Sequence, residues 1–354
     1  MKKLTLEEVG KLAGVSRATV SRVVNGYPHI RPEIRERVQR VIDETGYRPN
    51  LLARSLASDR SNIIGLVIPS GAQAVFTDPY FPCLTQGIAR GVNTNNLTLA
   101  LFMVHSEQEE ERTILSILGT GLVDGLIVTS DNKGDVFIPE LLKHDMPFVQ
   151  IGRSLYSNQV YRVDTDNVTG SYLATKHLLS LGYQRIATIA TNRNCSGDDR
   201  FTGYANAFAE YGRTIDRRLV AYGDYGLESG YHAMRQLIPQ RPDAVFVTSD
   251  TMALGALRAL QEAQLRVPDD IAIVGYDDLP PAVQANPQLT TIRQPIEQTG
   301  FLAVATLVKI LSGEPPESHE IVLPVELVVR ASCGAVRMNA VETAGQTVSY
   351  PVNP

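Results

Sequence analysis

The chain has 354 residues, 44 % hydrophobic and 20 % charged, with a formal net charge of −5; that length suits two or three domains and that composition an ordinary globular protein. No apolar run approaches the roughly 20 residues that span a bilayer, and the opening MKKLTLEEVG lacks the apolar stretch of a signal peptide, so a cytoplasmic protein is expected. Charge is unevenly placed: residues 1–60 hold 12 Lys plus Arg against 7 Asp plus Glu, net +5, and the remainder is −10, the pattern of a nucleic-acid-binding arm on an acidic body.

In chain order, Thr5 and Glu8 form a T-x-x-E capping box, which starts a helix at Leu6. Leu6, Val9, Leu12 and Ala13 give that helix an apolar face. Gly14 ends it, since glycine takes the left-handed conformation of a helix terminus. Val15 turns inward and Ser16 caps a second helix from Arg17 to about Val24, with Arg17, Ala18, Ser21, Arg22 and Asn25 off its apolar face. Two short helices joined by a tight glycine turn read as a helix-turn-helix, whose second helix enters the major groove, where arginine pairs bidentately with guanine. Taken alone, the pattern also fits a plain helical hairpin. The loop GYPHIR follows, with His29 placed to reach DNA, and then a third helix from Pro32 to Gly46. Pro49 blocks its continuation, and Asn50 caps a two-turn helix, 51–57, too short to be stable without a partner.

From Ile63 short apolar runs alternate with amphipathic helices. Strands are predicted at 63–68, 97–103, 124–129, 148–151, 185–190, 244–248 and 271–276, and helices at 81–95, 107–119, 167–181, 199–211, 227–238, 250–263 and 294–311, followed by the apolar run 321–329. Such alternation predicts parallel sheets covered on both faces, and the number of units exceeds one sheet, so two α/β lobes are expected. Asp250, Asp166 and Asn167 also suit helix N-termini, and for Asn167 capping is favoured over a ligand contact. Residues 334–354 are small and polar and predict a poorly ordered tail. Cys83, Cys195 and Cys333 show no C-x-x-C spacing, which fits isolated thiols rather than zinc ligands. The phosphate-loop, nucleophile-elbow, dinucleotide and H-E-x-x-H motifs are all missing from the sequence, so an enzyme is not expected, and neither a metal nor a cofactor.

Several stretches together resemble the lactose/galactose repressor family of bacterial transcription regulators: TLEEVGKLAGVSRATVSRVVNG, YRPNLLARSLAS, IIGLVIP, VDTDNVTG, RFTGYANAF, SDTMALGALRAL, VPDDIAIVGYDD and LTTIRQP, in this order over residues 1 to about 333. The resemblance implies an N-terminal all-α helix-turn-helix domain (1–46), a hinge helix and linker (47–61), and a two-lobed α/β periplasmic-binding-protein-like domain (62–333). Its lobes would be 62–162 with 292–324, and 163–291 with 325–333. The resemblance implies a homodimer on a pseudo-palindromic operator. Arg17, Ala18 and Arg22 would read bases, and Thr5, Ser16, Thr19, Ser21, Asn25, His29, Tyr47, Asn50, Ala53 and Arg54 would make the surrounding DNA contacts. Leu56 would be the apolar wedge in the minor groove. Arg31 departs from the family, which more often has a Ser-like cap there.

In the body, the resemblance implies a small effector bound between the lobes by Asp78, Tyr80, Phe81, Arg153, Arg200, Tyr225, Ser249, Asp250 and Asp277. Carboxylates and arginine supply the hydrogen bonds a polyol needs, and an aromatic face stacks on its C–H groups. A sugar-responsive repressor is the expected function. A purine-type corepressor response also fits these residues, whereas a transport-type sugar-binding protein conflicts with the basic helix-turn-helix.

Overall fold

The computed structural model describes residues 4–24, 26–47, 60–68, 77–104, 107–130, 136–156, 159–192 and 194–335. Asn25, the expected hinge helix with Asn50, Ala53, Arg54 and Leu56, and the tail beyond 335 lie outside the described residues. The chain divides into two compact units at Asn62.

The first unit contains α1 (Leu6–Ala13), α2 (Arg17–Val24) and α3 (Pro32–Thr45). Thr5 accepts the Glu8 N–H, and the Glu8 carboxylate accepts the Thr5 N–H at 2.8 Å, so the capping box closes in both directions. Gly14 sits at φ 62° and its N–H returns to the carbonyls of Gly10 and Lys11. Val9, Ala13, Val20, Val23 and Val38 form the buried core, and Leu6 packs against it. Leu12, expected on the apolar face, is 61 % exposed; Val9 and Ala13, four residues apart, already fill the contact with α2 and α3. Arg31 provides no side-chain cap, and α3 starts instead on Pro32, whose missing N–H needs none.

The second unit holds two six-stranded sheets of identical order. The first is built from β1 (Ile63–Ile68), β2 (Thr98–Met103), β3 (Gly125–Val128), β4 (Phe148–Ile151), β5 (Tyr161–Thr165) and β11 (Glu320–Leu323), arranged β11-β5-β4-β3-β1-β2. The second is built from β6 (Ile186–Ala190), β7 (Val220–Tyr222), β8 (Ala244–Val247), β9 (Ala272–Asp277), β10 (Thr290–Arg293) and β12 (Glu326–Val328), arranged β12-β10-β9-β8-β6-β7. All pairs are parallel except β10 with β12, an antiparallel edge. Helices α4 (Tyr80–Thr94), α5 (Glu107–Thr120), α6 (Phe137–Lys143) and α12 (Ile296–Leu311) belong to the first lobe. Helices α7 (Asn167–Ser180), α8 (Cys195–Glu210), α9 (Leu227–Leu237), α10 (Asp250–Glu262) and α11 (Pro280–Gln284) belong to the second. Each sheet carries a buried apolar cluster on both faces, as continuous apolar strands such as GLIV and AVFV require.

The chain crosses between lobes three times, and two crossings fall away from the expected positions. β5 ends in the first sheet at Thr165 rather than at 162, and β10 lies in the second sheet to Arg293 rather than leaving it at 291. The third crossing splits the apolar run 321–329 at Pro324, placing β11 and β12 in different sheets. A proline cannot donate to a ladder, so a break there costs no hydrogen bond.

Candidate functional site

In the first unit, the N-terminal half of α2 is the polar surface. Ser16 caps the helix, accepting the Thr19 N–H at 3.1 Å, and its hydroxyl meets that of Thr19 at 2.9 Å. Both hydroxyls therefore set the helix start as well as facing outward. Arg17, Ala18 and Arg22 are exposed, and neither arginine meets a carboxylate among the described residues. Ser21 is half-buried and His29 exposed. Arg35 donates to the Tyr27 carbonyl at 2.6 Å, which pins the loop between α2 and α3. Tyr47, expected at DNA, packs against the domain core, and burial pushes its hydroxyl pKa up. Thr5 spends its side chain on the capping box.

In the second unit, a cavity of about 190 Å³ lies between the lobes, where the carboxyl ends of parallel strands from both sheets converge. Ligands of open α/β sheets bind at such strand ends. Six of the nine expected residues line it: Asp78, Tyr80, Phe81, Arg200, Tyr225 and Asp277.

Arg200 sits at its centre. α8 begins at Cys195, four residues before the expected start at 199, because Asn194 accepts the Gly197 N–H at 3.0 Å. Arg200 therefore occupies the second turn, where its side chain is buried. Its Nε donates to Asn167 Oδ1 at 2.9 Å and its Nη1 to the Thr248 carbonyl at 2.5 Å. Asp277 Oδ1 stands 3.6 Å from the same Nη1, and the guanidinium lies 3.9 Å from the Tyr276 ring centre. Burial works against the arginine's charge, but Asp277 and the surrounding tyrosines hold its pKa above the ordinary value. Burial pushes the Asp277 carboxyl up to about 7, against the pull of Arg200 and of the Gln294 amide, which donates at 2.6 Å. Burial likewise raises Asp78, whose Oδ1 accepts the Tyr80 N–H at 3.0 Å.

Tyr225 has φ 72° and Asp277 φ 118°, conformations that side-chain-bearing residues rarely hold. Such backbone costs about 1–3 kcal/mol per residue and persists where surroundings fix it. At Tyr225 they do: its hydroxyl accepts from Thr191 and from Asn194, each at 3.0 Å. Tyr80 and Phe81 meet edge to face at 5.5 Å and also pack against the first lobe's core.

Arg153, Ser249 and Asp250 do not line the cavity. Ser249 caps α10 by accepting the Met252 N–H. Asp250 is fully buried, with one oxygen on the Leu279 N–H at 2.9 Å and the other on the Thr291 hydroxyl at 2.7 Å; it holds the loop after β9 in place. Burial, then the charge of Asp277, raises its pKa well above the carboxylate range. Arg153 makes a bidentate pair with Asp199 of α8 at 2.5 and 2.9 Å, which ties one lobe to the other. Asp166, not Asn167, caps α7 through the Thr169 N–H at 2.9 Å. Asn167 instead bonds Arg200 and lines the cavity.

The sequence reading missed Asp164, Thr165 and Gln294. They line the cavity at two of the crossings, and the Thr165 hydroxyl donates to Gln294 Oε1 at 2.5 Å. A ligand in the cavity would therefore lie against two of the segments that join the lobes. The signal that could have found them is their position at the carboxyl ends of strands, hidden because β5 and β10 were not recognised.

Residues 5–50 match the family model for bacterial regulatory proteins of the lacI family, and residues 175–333 match that for a periplasmic binding protein-like domain. The transcriptional regulator CelR of Thermobifida fusca is 39 % identical over 333 residues, covering 93 % of this chain and 98 % of that protein. The chain belongs to the lacI family. Catabolite control protein A of Priestia megaterium is 31 % identical over 93 % of this chain and 99 % of its own length. Among solved structures, a CelR–cellobiose complex matches with a TM-score of 0.75 at 38 % identity, over 93 % of this chain and 100 % of that one. A lac repressor dimer bound to operator and the anti-inducer ONPF matches with a TM-score of 0.83 at 28 % identity, over 94 % and 99 %. As a lacI-family member this chain is a DNA-binding transcriptional regulator, with its helix-turn-helix in the first unit and its effector-binding fold in the second. Among the described residues, no helix is long and apolar enough to cross a membrane.

Proposed function

We propose that this lacI-family regulator is a repressor of carbohydrate-utilisation genes that binds a pseudo-palindromic operator as a homodimer and releases it when a sugar fills the cavity between the lobes. The observation that carries the reading is the cavity's polar centre. Arg200 donates to Asn167 and forms an ion pair with Asp277, which accepts from Gln294, and the group is flanked by Tyr225, Tyr80 and Phe81. Fixed donors and acceptors beside aromatic faces match the alternating hydroxyl and C–H surfaces of a sugar.

The lining at the crossings links occupancy to the angle between lobes, and that angle is the bistable element a ligand biases. The segment 50–57 is the expected reader of that angle: a two-turn helix needs DNA and a partner to be stable. Leu101 on the edge strand β2, Leu115 on α5 and Leu122 after it are exposed apolar residues of the first lobe, which suits pairing with a second copy. The relative solved with cellobiose makes β-linked glucose disaccharides the first candidates.

A thermal-shift screen of sugars and nucleobases on the purified protein tests the reading. A ligand at 100 times its dissociation constant adds about 2.7 kcal/mol of stability. Stabilisation by a sugar is expected; stabilisation by nucleobases alone would replace the sugar with a purine-type corepressor.

A further inference from the structure

We propose that Asp250 is a positioning residue of the cavity: it holds the Asp277 carboxylate beside Arg200, so that effector affinity depends on a side chain the effector does not touch. This rests on the reading above, in which the cavity is the effector site and Asp277 faces the effector. Asp250 lies outside the cavity at the start of α10 and is fully buried. Its two oxygens grip the chain on either side of the strand end that presents Asp277. One accepts the Leu279 N–H at 2.9 Å, just beyond Asp277. The other accepts the Thr291 hydroxyl at 2.7 Å, on β10 where it pairs with Gly275 of β9. Gly275 leaves room for this approach, since a Cβ there would come within 2.3 Å of an Asp250 oxygen.

The end of β9 needs such a hold. Asp277 and Asp278 follow one another at φ 118° and 58°, and residues with side chains keep positive φ only where their surroundings fix them. The Asp278 carboxylate is fixed by Arg293 at 2.7 Å and by Arg330 at 2.6 Å. Leu279 is buried, and its N–H needs the acceptor that Asp250 supplies. The backbone held by these anchors delivers the Asp277 carboxylate to the Gln294 amide at 2.6 Å and to within 3.6 Å of Arg200. Burial raises the Asp277 pKa, and the Asp250 backbone N–H is among the groups that draw it back, so the start of α10 acts on that carboxylate as well as on the loop. A residue that only filled the core would need no oxygens; Asp250 spends both of its own on the segments around Asp277.

The test compares the full-length parent protein with Asp250→Asn and Asp250→Ala. Asparagine keeps an oxygen for the Leu279 N–H and turns its amide towards the Thr291 hydroxyl, which accepts as well as donates; alanine keeps neither bond. In crystal structures the Asp277 carboxylate should stay beside Arg200 in the asparagine variant and leave it in the alanine variant. In calorimetric titrations with cellobiose, glucose and ribose, a sugar bound by the parent should bind the asparagine variant within a few-fold and the alanine variant roughly tenfold or more weakly. Sugar-free affinity for a duplex selected from a randomised pool should stay within a few-fold in both. An Asp277 carboxylate unmoved in the alanine variant, or sugar bound by it as tightly as by the parent, would overturn the inference and leave the carbohydrate reading standing. Equal losses in the two variants would overturn it too, as would duplex affinity falling in step with sugar affinity, the mark of a general loss of structure. If the alanine variant does not fold, Thr291→Val replaces it, removing only the hydroxyl on Asp250; sugar should then bind several-fold more weakly, and unchanged affinity would overturn the inference. Binding of none of these sugars by the parent would remove the carbohydrate reading, and the place of Asp277 in the crystal structures would then decide this inference alone.

Discussion

Asp277→Asn separates ligand recognition from folding. Two opposing effects act on this carboxylate. Its attraction to Arg200 at 3.6 Å is worth about 5 kcal/mol at an effective dielectric constant of about 20. Its desolvation in a fully buried site costs several kcal/mol. Desolvation wins, because the pKa is pushed up to about 7 instead of down. A group whose folded pKa is raised stabilises the fold fully below its unfolded value of 3.8, and that contribution is lost as pH rises through about 7. The asparagine variant lacks this dependence and keeps an amide oxygen for Gln294. Its melting temperature relative to the parent protein should therefore rise between pH 5 and pH 8.5, and at pH 8.5 it should melt at or above the parent. Ligand binding should move the other way. A hydrogen bond to a charged group contributes about 1.5–3 kcal/mol, so sugar affinity should fall about 10- to 150-fold. Calorimetric melts at the two pH values and a sugar titration measure both. A variant destabilised equally at both pH values, or one with unchanged sugar affinity, would refute the reasoning.

Three other outcomes are expected. Arg22→Ala should cost about 1–3 kcal/mol on the operator and relax preference at one base pair per half-site, measured by binding to a panel of operator variants; a uniform loss across sequences would place Arg22 on phosphate only. Leu56→Ala should reduce operator bending in a gel-shift bending assay with much smaller effect on sugar affinity, and unchanged bending would remove the wedge role. Asp199→Asn removes a partly exposed ion pair between the lobes, so about 0.2–1 kcal/mol of closure should be lost. Small-angle scattering of the ligand-free protein should then show a more open body, and an unchanged profile would mean that the pair does not hold the lobes.

The architecture was legible wherever burial is apolar. Val67, Val128, Val149 and Phe246 lie in strands whose continuous hydrophobic runs declare two-sided burial. Of the strands that went unseen, β7 is a three-residue edge strand, and the other two bury polar groups. β5 carries Arg162 and Asp164, which are paired with each other at 3.1 Å, and β10 carries Thr290 and Thr291, bonded to Ser332, Arg330 and Asp250. Their periodicity is lost because tertiary hydrogen bonds replace hydrophobicity. These are also the strands that lead to the crossings, so the errors in lobe boundary and the missed cavity residues share one cause.

At the site, residue type alone did not separate a ligand contact from a helix cap. Ser249, Asp250 and Asp166 all precede or open helices, and their oxygens are consumed by backbone N–H groups or a neighbouring hydroxyl. Asp277 follows a strand and faces the cavity with Arg200 beside it. The difference lies in which partners the fold brings close, which spacing along the chain does not encode. In the first unit the local code is complete: the capping box, the Gly14 turn and Pro32 each act within four residues, so the helix boundaries followed directly.

The most direct measurement is the affinity of the full-length protein for an operator duplex selected from a randomised pool, titrated with and without saturating cellobiose. Sugar and operator should be coupled, with operator affinity falling roughly 5- to 150-fold on sugar binding and sugar affinity falling by the same factor on operator binding. Equal operator affinity in the two titrations, with cellobiose shown by calorimetry to occupy the protein, would contradict it.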